Sequence, residues 1–131
     1  MVVDTSALIA VLLDEPERPS IEDRIEGDPV RLVSAMSKLE ASMVMIGRHG
    51  IEGGTRLDRL LREIAATIVP FDEHQADIAR DAFVRYGKGR HPAGLNFGDC
   101  AAYALAMAEA EPLLFKGTDF GATDVQVASA V

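Results

Sequence analysis

The chain has 131 residues, 48% of them hydrophobic but only 5% aromatic and none tryptophan, so a single core must be filled by aliphatic and alanine packing. Thirteen basic against 21 acidic residues leave a net charge of -8, which argues against a protein that coats nucleic acid through a broad basic face. One cysteine, Cys100, excludes an intramolecular disulfide and a zinc knuckle. The chain opens on Met1-Val2-Val3-Asp4 with no basic leader, and no apolar run is long enough to span a membrane, so a soluble cytoplasmic protein is expected, one domain over residues 1–131.

Short apolar runs alternate with helical periodicity. Val2-Val3 reads as a buried strand, followed by a helix over Ala7–Leu13 that stops at Asp14-Glu15-Pro16. Pro19 to Glu26 reads as a short helix closed by Gly27, and Arg31 to Ser34 as a strand. Ser37 to His49 forms a helix, Gly53-Gly54 a break, and Thr55 to Ala66 an amphipathic helix with Leu57, Leu60, Leu61 and Ile64 on one face. That face suits either a core or a groove wall for a partner helix. Thr67 to Pro70 is strand-like, a helix runs from Asp72 or Glu73 to about Tyr86, and a Gly-rich basic loop covers residues 87–95. Asn96 caps an alanine-rich helix to about Ala110, and the last strands are Leu113–Phe115 and Val125–Val127. Strand–helix alternation implies an α/β fold with a mostly parallel sheet covered on both faces, whose functional crevice lies beyond the carboxyl ends of the strands.

Several acids stand at that edge. Asp4 follows the first strand directly, in a position that also suits a helix cap. At about 100° per residue, Met36, Leu39, Met43, Val44, Ile46 and Gly47 share one arc of their helix, and Glu40 falls inside it, where a carboxylate is costly if the arc is core. Asp99 sits three residues after Asn96, as in a capping box, and Asp119 follows the Leu113–Phe115 strand in a turn-like Gly-Thr-Asp; Asp124 has a weaker claim. Hard oxygen donors of this kind suit magnesium or manganese.

Four segments carry a resemblance: Val2-Val3-Asp4-Thr5-Ser6-Ala7-Leu8, Ser37-Lys38-Leu39-Glu40-Ala41, Leu95-Asn96-Phe97-Gly98-Asp99-Cys100-Ala101-Ala102-Tyr103-Ala104 and Leu114-Phe115-Lys116-Gly117-Thr118-Asp119-Phe120. Together they resemble the PIN-domain nucleases, specifically the VapC-type toxins of bacterial toxin–antitoxin pairs, from end to end. The resemblance implies a three-layer α/β/α sandwich and an endoribonuclease that depends on Mg²⁺ or Mn²⁺. It also implies a homodimer and a cognate antitoxin that occludes the site. It maps the catalytic acids onto Asp4, Glu40, Asp99 and Asp119, with Asp4 and Asp99 as direct metal ligands, Asp119 as a ligand directly or through water, and Glu40 either positioning the attacking water or acting from behind the ligands. It allows a further acid near Asp124 and a supporting hydroxyl from Ser6 or Thr118. Arg85, Lys88, Arg90, His91 and Lys116 are candidates to hold the RNA backbone.

Two other readings are weighed on the same residues. A phosphatase of the haloacid-dehalogenase type also places an Asp after its first strand, but wants a second two residues later, where Ser6 stands. A receiver-like signalling module would need a phospho-acceptor such as Asp72 after a central strand.

Overall fold

The computed structural model describes residues 1–130, with backbone alone for Ser129 and Ala130. Five short strands, β1 (Val2–Val3), β2 (Leu32–Ser34), β3 (Thr67–Val69), β4 (Leu113–Phe115) and β5 (Val127–Ala130), form one sheet in the order β3-β2-β1-β4-β5, with every neighbouring pair parallel. Six helices connect them: α1 (Thr5–Leu12), α2 (Arg18–Glu26), α3 (Ala35–His49), α4 (Ile51–Glu63), α5 (Glu73–Tyr86) and α6 (Phe97–Glu109).

The period of two along each strand divides the core. Val3, Val33 and Leu114 point to one face and pack with α1, α2, α4 and Ala41 of α3. Val2, Leu113 and Phe115 point to the other and pack with Ala82 of α5 and with α6. The expected three-layer α/β/α sandwich is therefore present, and its central strands β1 and β4 read as uninterrupted apolar runs because both of their faces are buried. Helix α6 is enclosed from Cys100 to Ala106, and its small residues let it lie close to both the sheet and α5. The strand order reverses direction between β1 and β4, so the crevice of an open parallel sheet lies above that pair.

Two boundaries differ from expectation. Gly53-Gly54 does not break the chain; α4 runs through it. A β-carbon on Gly53 would lie 2.5 Å from the carbonyl carbon of Met45, so glycine is what lets α3 and α4 touch backbone to backbone. The turn between them is made instead by Gly50, at φ 69°. Leu57, Leu60 and Leu61 of α4 are buried in the core, so that face is occupied internally and does not form an open groove wall. The last strand starts at Val127, two residues later than the Val125–Val127 reading. Val125 is buried, but its N–H donates to Thr123 Oγ1 (3.2 Å) and is unavailable to the β4 ladder.

Gly53→Ala is expected to lower stability by about 1–3 kcal/mol through this backbone clash, while Gly54→Ala, which would meet only the side chain of Ile46, is expected to be neutral or slightly stabilising. Urea unfolding of the two variants side by side checks this, and equal midpoints would contradict the close approach.

Candidate active site

Asp4 stands at the carboxyl end of β1 and caps α1. It is only 3% exposed. Its Oδ2 accepts from the Ser6 N–H (3.0 Å) and from the Ser6 hydroxyl (2.6 Å). The same hydroxyl oxygen accepts from the Lys116 N–H (3.0 Å), just beyond β4, so Ser6 ties the ends of the two strands together where the sheet reverses. Burial pushes the Asp4 carboxyl up to about 6; the two Ser6 hydrogen bonds pull it down, and the charges of Asp99 and Glu40 add to the rise. Oδ1 accepts no hydrogen bond from any described residue. Capping uses one oxygen of Asp4 and leaves the other for chemistry.

Asp99 repeats this arrangement at the start of α6. Its Oδ2 accepts from the Asn96 N–H (3.0 Å) while Asn96 Oδ1 accepts from the Asp99 N–H (2.9 Å), a reciprocal capping box. Burial raises its pKa first, the Asn96 hydrogen bond opposes, and the charges of Asp119 and Glu40 raise it further. Glu40, half-buried on α3, lays its carboxylate against Gly98: a β-carbon there would lie 2.6 Å from Glu40 Cδ. Asp119 is exposed at the start of a 3₁₀ turn, Asp119–Ala122, that follows β4.

All four acids thus share one field at the carboxyl edge, since Asp4 senses Asp99 and Glu40, and Asp99 senses Glu40 and Asp119. Among the described residues, no three His, Cys, Asp or Glu side chains stand close enough to cage an ion by themselves. The donor chemistry nevertheless fits a hard divalent ion. Every donor is an oxygen, Asp4 and Asp99 each keep one oxygen free of hydrogen bonds, and the mutual repulsion is of the sign that a cation relieves. An ion that retains part of its water shell does not need a closed cage.

The basic candidates fare differently. Lys116 turns away from the crevice to Glu15 (3.1 Å) and Glu17 (3.4 Å) between α1 and α2. Arg85 is engaged by Asp124 (3.0 Å) and Asp81 (3.5 Å). His91 Nδ1 accepts from the Ala93 N–H, and its ring sits edge-on to Tyr86 at 5.2 Å. Lys88 and Arg90 remain exposed on the loop. Asp124 is not part of the crevice: both its oxygens are occupied, by the Tyr103 hydroxyl (2.6 Å) and by Arg85. Cys100 is no nucleophile, because burial and the neighbouring Asp99 push its thiol up to about 11. Asp72 caps α5, its Oδ1 accepting from the Gln75 N–H (2.9 Å), and it follows β3, an edge strand, whereas a receiver-like reading needs an acceptor after a central strand.

The premise used for Glu40 is also corrected. The arc it shares is not core: Leu39 is 54% and Met43 66% exposed, and the buried line of α3 is Ser37, Ala41 and Met45. Gly98 escaped the sequence reading. The available signal was a glycine in the first turn of a helix otherwise rich in alanine, a place where glycine is unfavourable unless something approaches closely.

Comparison with known proteins shows the family. The sequence matches the PIN domain family over residues 1–126. The chain belongs to that family. Within it, the chain falls among the VapC ribonucleases. It is 52% identical to Ribonuclease VapC of Mycolicibacterium smegmatis over 95% of this chain and 97% of that one. It is 50% identical to Ribonuclease VapC30 of Mycobacterium tuberculosis over 95% of each. The fold is shared with Mycobacterium tuberculosis VapC20, described as a sarcin–ricin loop cleaving toxin, at a TM-score of 0.77 and 16% identity over 95% of each chain. It is shared too with VapBC2 of Rickettsia felis bound to a promoter DNA fragment, at a TM-score of 0.76 and 12% identity over 98% of this chain and 96% of that one.

The Asp4 shift has a measurable consequence. Its folded pKa of about 6 lies above the ordinary 3.8, so its contribution to stability is fully present below pH 3.8 and is lost as the pH rises through about 6. Asp99 shifts in the same direction, whereas Asp28 and Asp124 shift oppositely. Asp4→Asn keeps an acceptor for Ser6 and removes only the titration. In EDTA, its stability relative to wild type should rise between about pH 4 and about pH 7, by a quantity of the order of 3 kcal/mol for a shift of this size. A difference in melting temperature that does not change with pH would contradict the raised pKa.

Proposed function

We propose that the crevice above β1 and β4 hydrolyses RNA phosphodiester bonds, with Mg²⁺ or Mn²⁺ held by Asp4, Asp99 and Asp119. One observation carries this reading: Asp4 and Asp99, each with one oxygen free of hydrogen bonds, lie within electrostatic reach of Glu40, and Asp99 of Asp119 too, so that their pKa values rise through burial and then through neighbouring charge. When bound, the ion supplies a water of lowered pKa and offsets charge on the phosphate oxygens.

The chain's own residues hold and orient. Ser6 fixes Asp4 to both strand ends, which leaves Oδ1 aimed by the fold and not by solvent. The capping box does the same for Asp99, and the α6 amino end favours the negative charge gathered there. Glu40, braced on Gly98, orients the attacking water and accepts its proton. Lys88 and Arg90 are the exposed cations left to contact the RNA backbone. A haloacid-dehalogenase-type phosphatase needs a second carboxylic acid two residues after the first, and there Ser6 offers only a hydroxyl, which donates to Asp4 and accepts from the Lys116 N–H.

Purified protein with total RNA should give discrete 5′ ends in Mg²⁺ or Mn²⁺ and none in EDTA. Asp99→Asn should cut no more than background while melting no lower than wild type in EDTA. Cleavage by Asp99→Asn at the wild-type rate, or undiminished cleavage in EDTA, would overturn the assignment.

Residues 1–131 would then act as one nuclease domain, the toxin of a cytoplasmic toxin–antitoxin pair, with an antitoxin protein covering the crevice. Solved structures of the same fold include a toxin–antitoxin complex from Klebsiella pneumoniae, at a TM-score of 0.72 and 20% identity. The exposed arc of α3 gives a homodimer a place to form. Leu39, Met43 and Phe97 (76% exposed) line an apolar groove of about 450 Å³ whose edge is Glu40. An apolar surface of this kind marks an interface, and its contact with Glu40 would set the two crevices of a dimer side by side. Met43→Lys combined with Phe97→Asp should convert a dimer into a monomer by light scattering; an unchanged mass would remove this face from consideration.

A further inference from the structure

The polar cluster of Tyr103, Asp124 and Arg85 lies outside the crevice yet joins the two elements that bring Asp99 and Asp119 together. Tyr103 follows Asp99 by four residues, one turn along α6, so the two side chains leave the same face of the helix. Asp124 follows Asp119 by five residues, on the segment that leads from the 3₁₀ turn into β5. The Tyr103 hydroxyl, on a residue only 1% exposed, donates to Asp124 Oδ1 at 2.6 Å. Among the described residues this is the one side-chain hydrogen bond between α6 and the segment 116–126.

Asp124 Oδ2 accepts from Arg85 Nη2 at 3.0 Å, and the same nitrogen donates to the Tyr86 hydroxyl at 2.7 Å. The guanidinium stands over the Tyr86 ring at 4.7 Å, and Tyr86 packs on Tyr103 with ring centres 6.1 Å apart. One carboxylate is therefore clamped from α5 and from α6 at once. Such a clamp has no evident purpose at a plain surface turn. The turn already has its own anchors, with Phe120 packed on Phe115 (5.1 Å) and the Thr123 hydroxyl donating to the Phe120 carbonyl (2.8 Å). Phe120 and Val125 also pack in the apolar cluster that contains α6, and to that non-directional contact the Tyr103–Asp124 bond adds a directional tie between the element that carries Asp99 and the segment that follows Asp119.

We propose that Asp124 is a positioning residue: clamped by Tyr103 and Arg85, it sets the Asp119 carboxylate at the distance from Asp99 that a divalent ion requires, without touching the ion. This rests on the reading of the crevice as a metal site. Removing a hydrogen bond made directly to a metal ligand typically changes metal affinity or activity by about 10–100-fold, and the Tyr103–Asp124 bond, which acts on Asp119 through the chain, is expected at the low end of that range.

Tyr103→Phe deletes only the hydroxyl and keeps the buried ring. It should raise the Mn²⁺ concentration for half-maximal RNA cleavage by roughly tenfold, with cleavage at saturating Mn²⁺ within about threefold of wild type. Calorimetric Mn²⁺ binding without RNA should weaken by the same factor. Hydrogen exchange of the metal-free variant should quicken in segment 117–126 and not in the rest of the sheet. Arg85→Gln, at a partly exposed position, should produce a smaller shift in the same direction, and it provides the test should Tyr103→Phe fold poorly. Wild-type Mn²⁺ binding in both variants would overturn the proposal. Asp124→Asn losing cleavage at saturating Mn²⁺ as fully as Asp99→Asn would also overturn it, by making Asp124 a ligand. If wild type and Asp99→Asn bind Mn²⁺ equally, the metal-site reading itself fails, an outcome distinct from failure of the clamp.

Discussion

The buried hydrogen bond between Asp4 and Ser6 is the constraint on which the site depends. A carboxylate at 3% exposure is costly unless its charge is stabilised, and here one oxygen takes two hydrogen bonds while the charge of the neighbouring acids works against it. Ser6 does more than satisfy Asp4. By accepting from the Lys116 N–H it joins the start of α1 to the exit of β4. The parallel ladder sets the register of the two strands, and the Asp4 N–H itself donates to the Leu114 carbonyl (2.9 Å). Ser6 adds a side-chain tie one step further on, between the Asp4 carboxylate and the Lys116 N–H, where the chain leaves β4 towards Asp119.

Much of the layout was readable because the periodicities are strong. The division of Val2 from Val3, and of Leu114 from Leu113 and Phe115, follows from strand geometry alone. The capping box of Asn96 and Asp99 was visible as spacing. What failed was any inference that needed to know which side of a helix the rest of the protein lay on. The apolar arc of α3 has the period of a core face, yet the core takes Ser37, Ala41 and Met45, and the arc with Leu39 and Met43 faces outward. Glu40 was singled out because it fell on that arc. Its place in the proposed site rests on a different observation, the bare backbone of Gly98 against its carboxylate. Periodicity identifies an apolar stripe; it does not distinguish a stripe against the sheet from one that awaits a partner.

The glycines show the same limit from the other side. Gly53-Gly54 has the composition of a break, and Gly50 is the residue that turns the chain. Gly53 is inside a helix because another backbone passes within reach of where its side chain would be. Only the tertiary contact separates a glycine needed for its torsion from one needed for its size. Gly98 is of the second kind, and what approaches it is the Glu40 carboxylate.

Charge distribution resolves what the net value left open. Of the cations near the crevice, Lys116 is held by Glu15 and Glu17 and Arg85 by Asp124, so they organise loops and leave the acidic field of Asp4, Glu40, Asp99 and Asp119 uncompensated. A field of that kind favours a bound cation, since burial first, and repulsion among the acids after it, raise the two aspartate pKa values, and both penalise charged carboxylates that a divalent ion would stabilise. The same arrangement explains why each aspartate is also a cap. A helix amino end offers fixed N–H donors that stabilise one carboxylate oxygen without supplying a mobile positive charge that would compete with the ion. Had Lys116 or Arg85 pointed into the crevice, the fold would be more stable and the cation affinity lower. Capping therefore supports the catalytic reading of Asp4 and Asp99 instead of competing with it, because it is the form of stabilisation that leaves the second oxygen and the net negative charge in place.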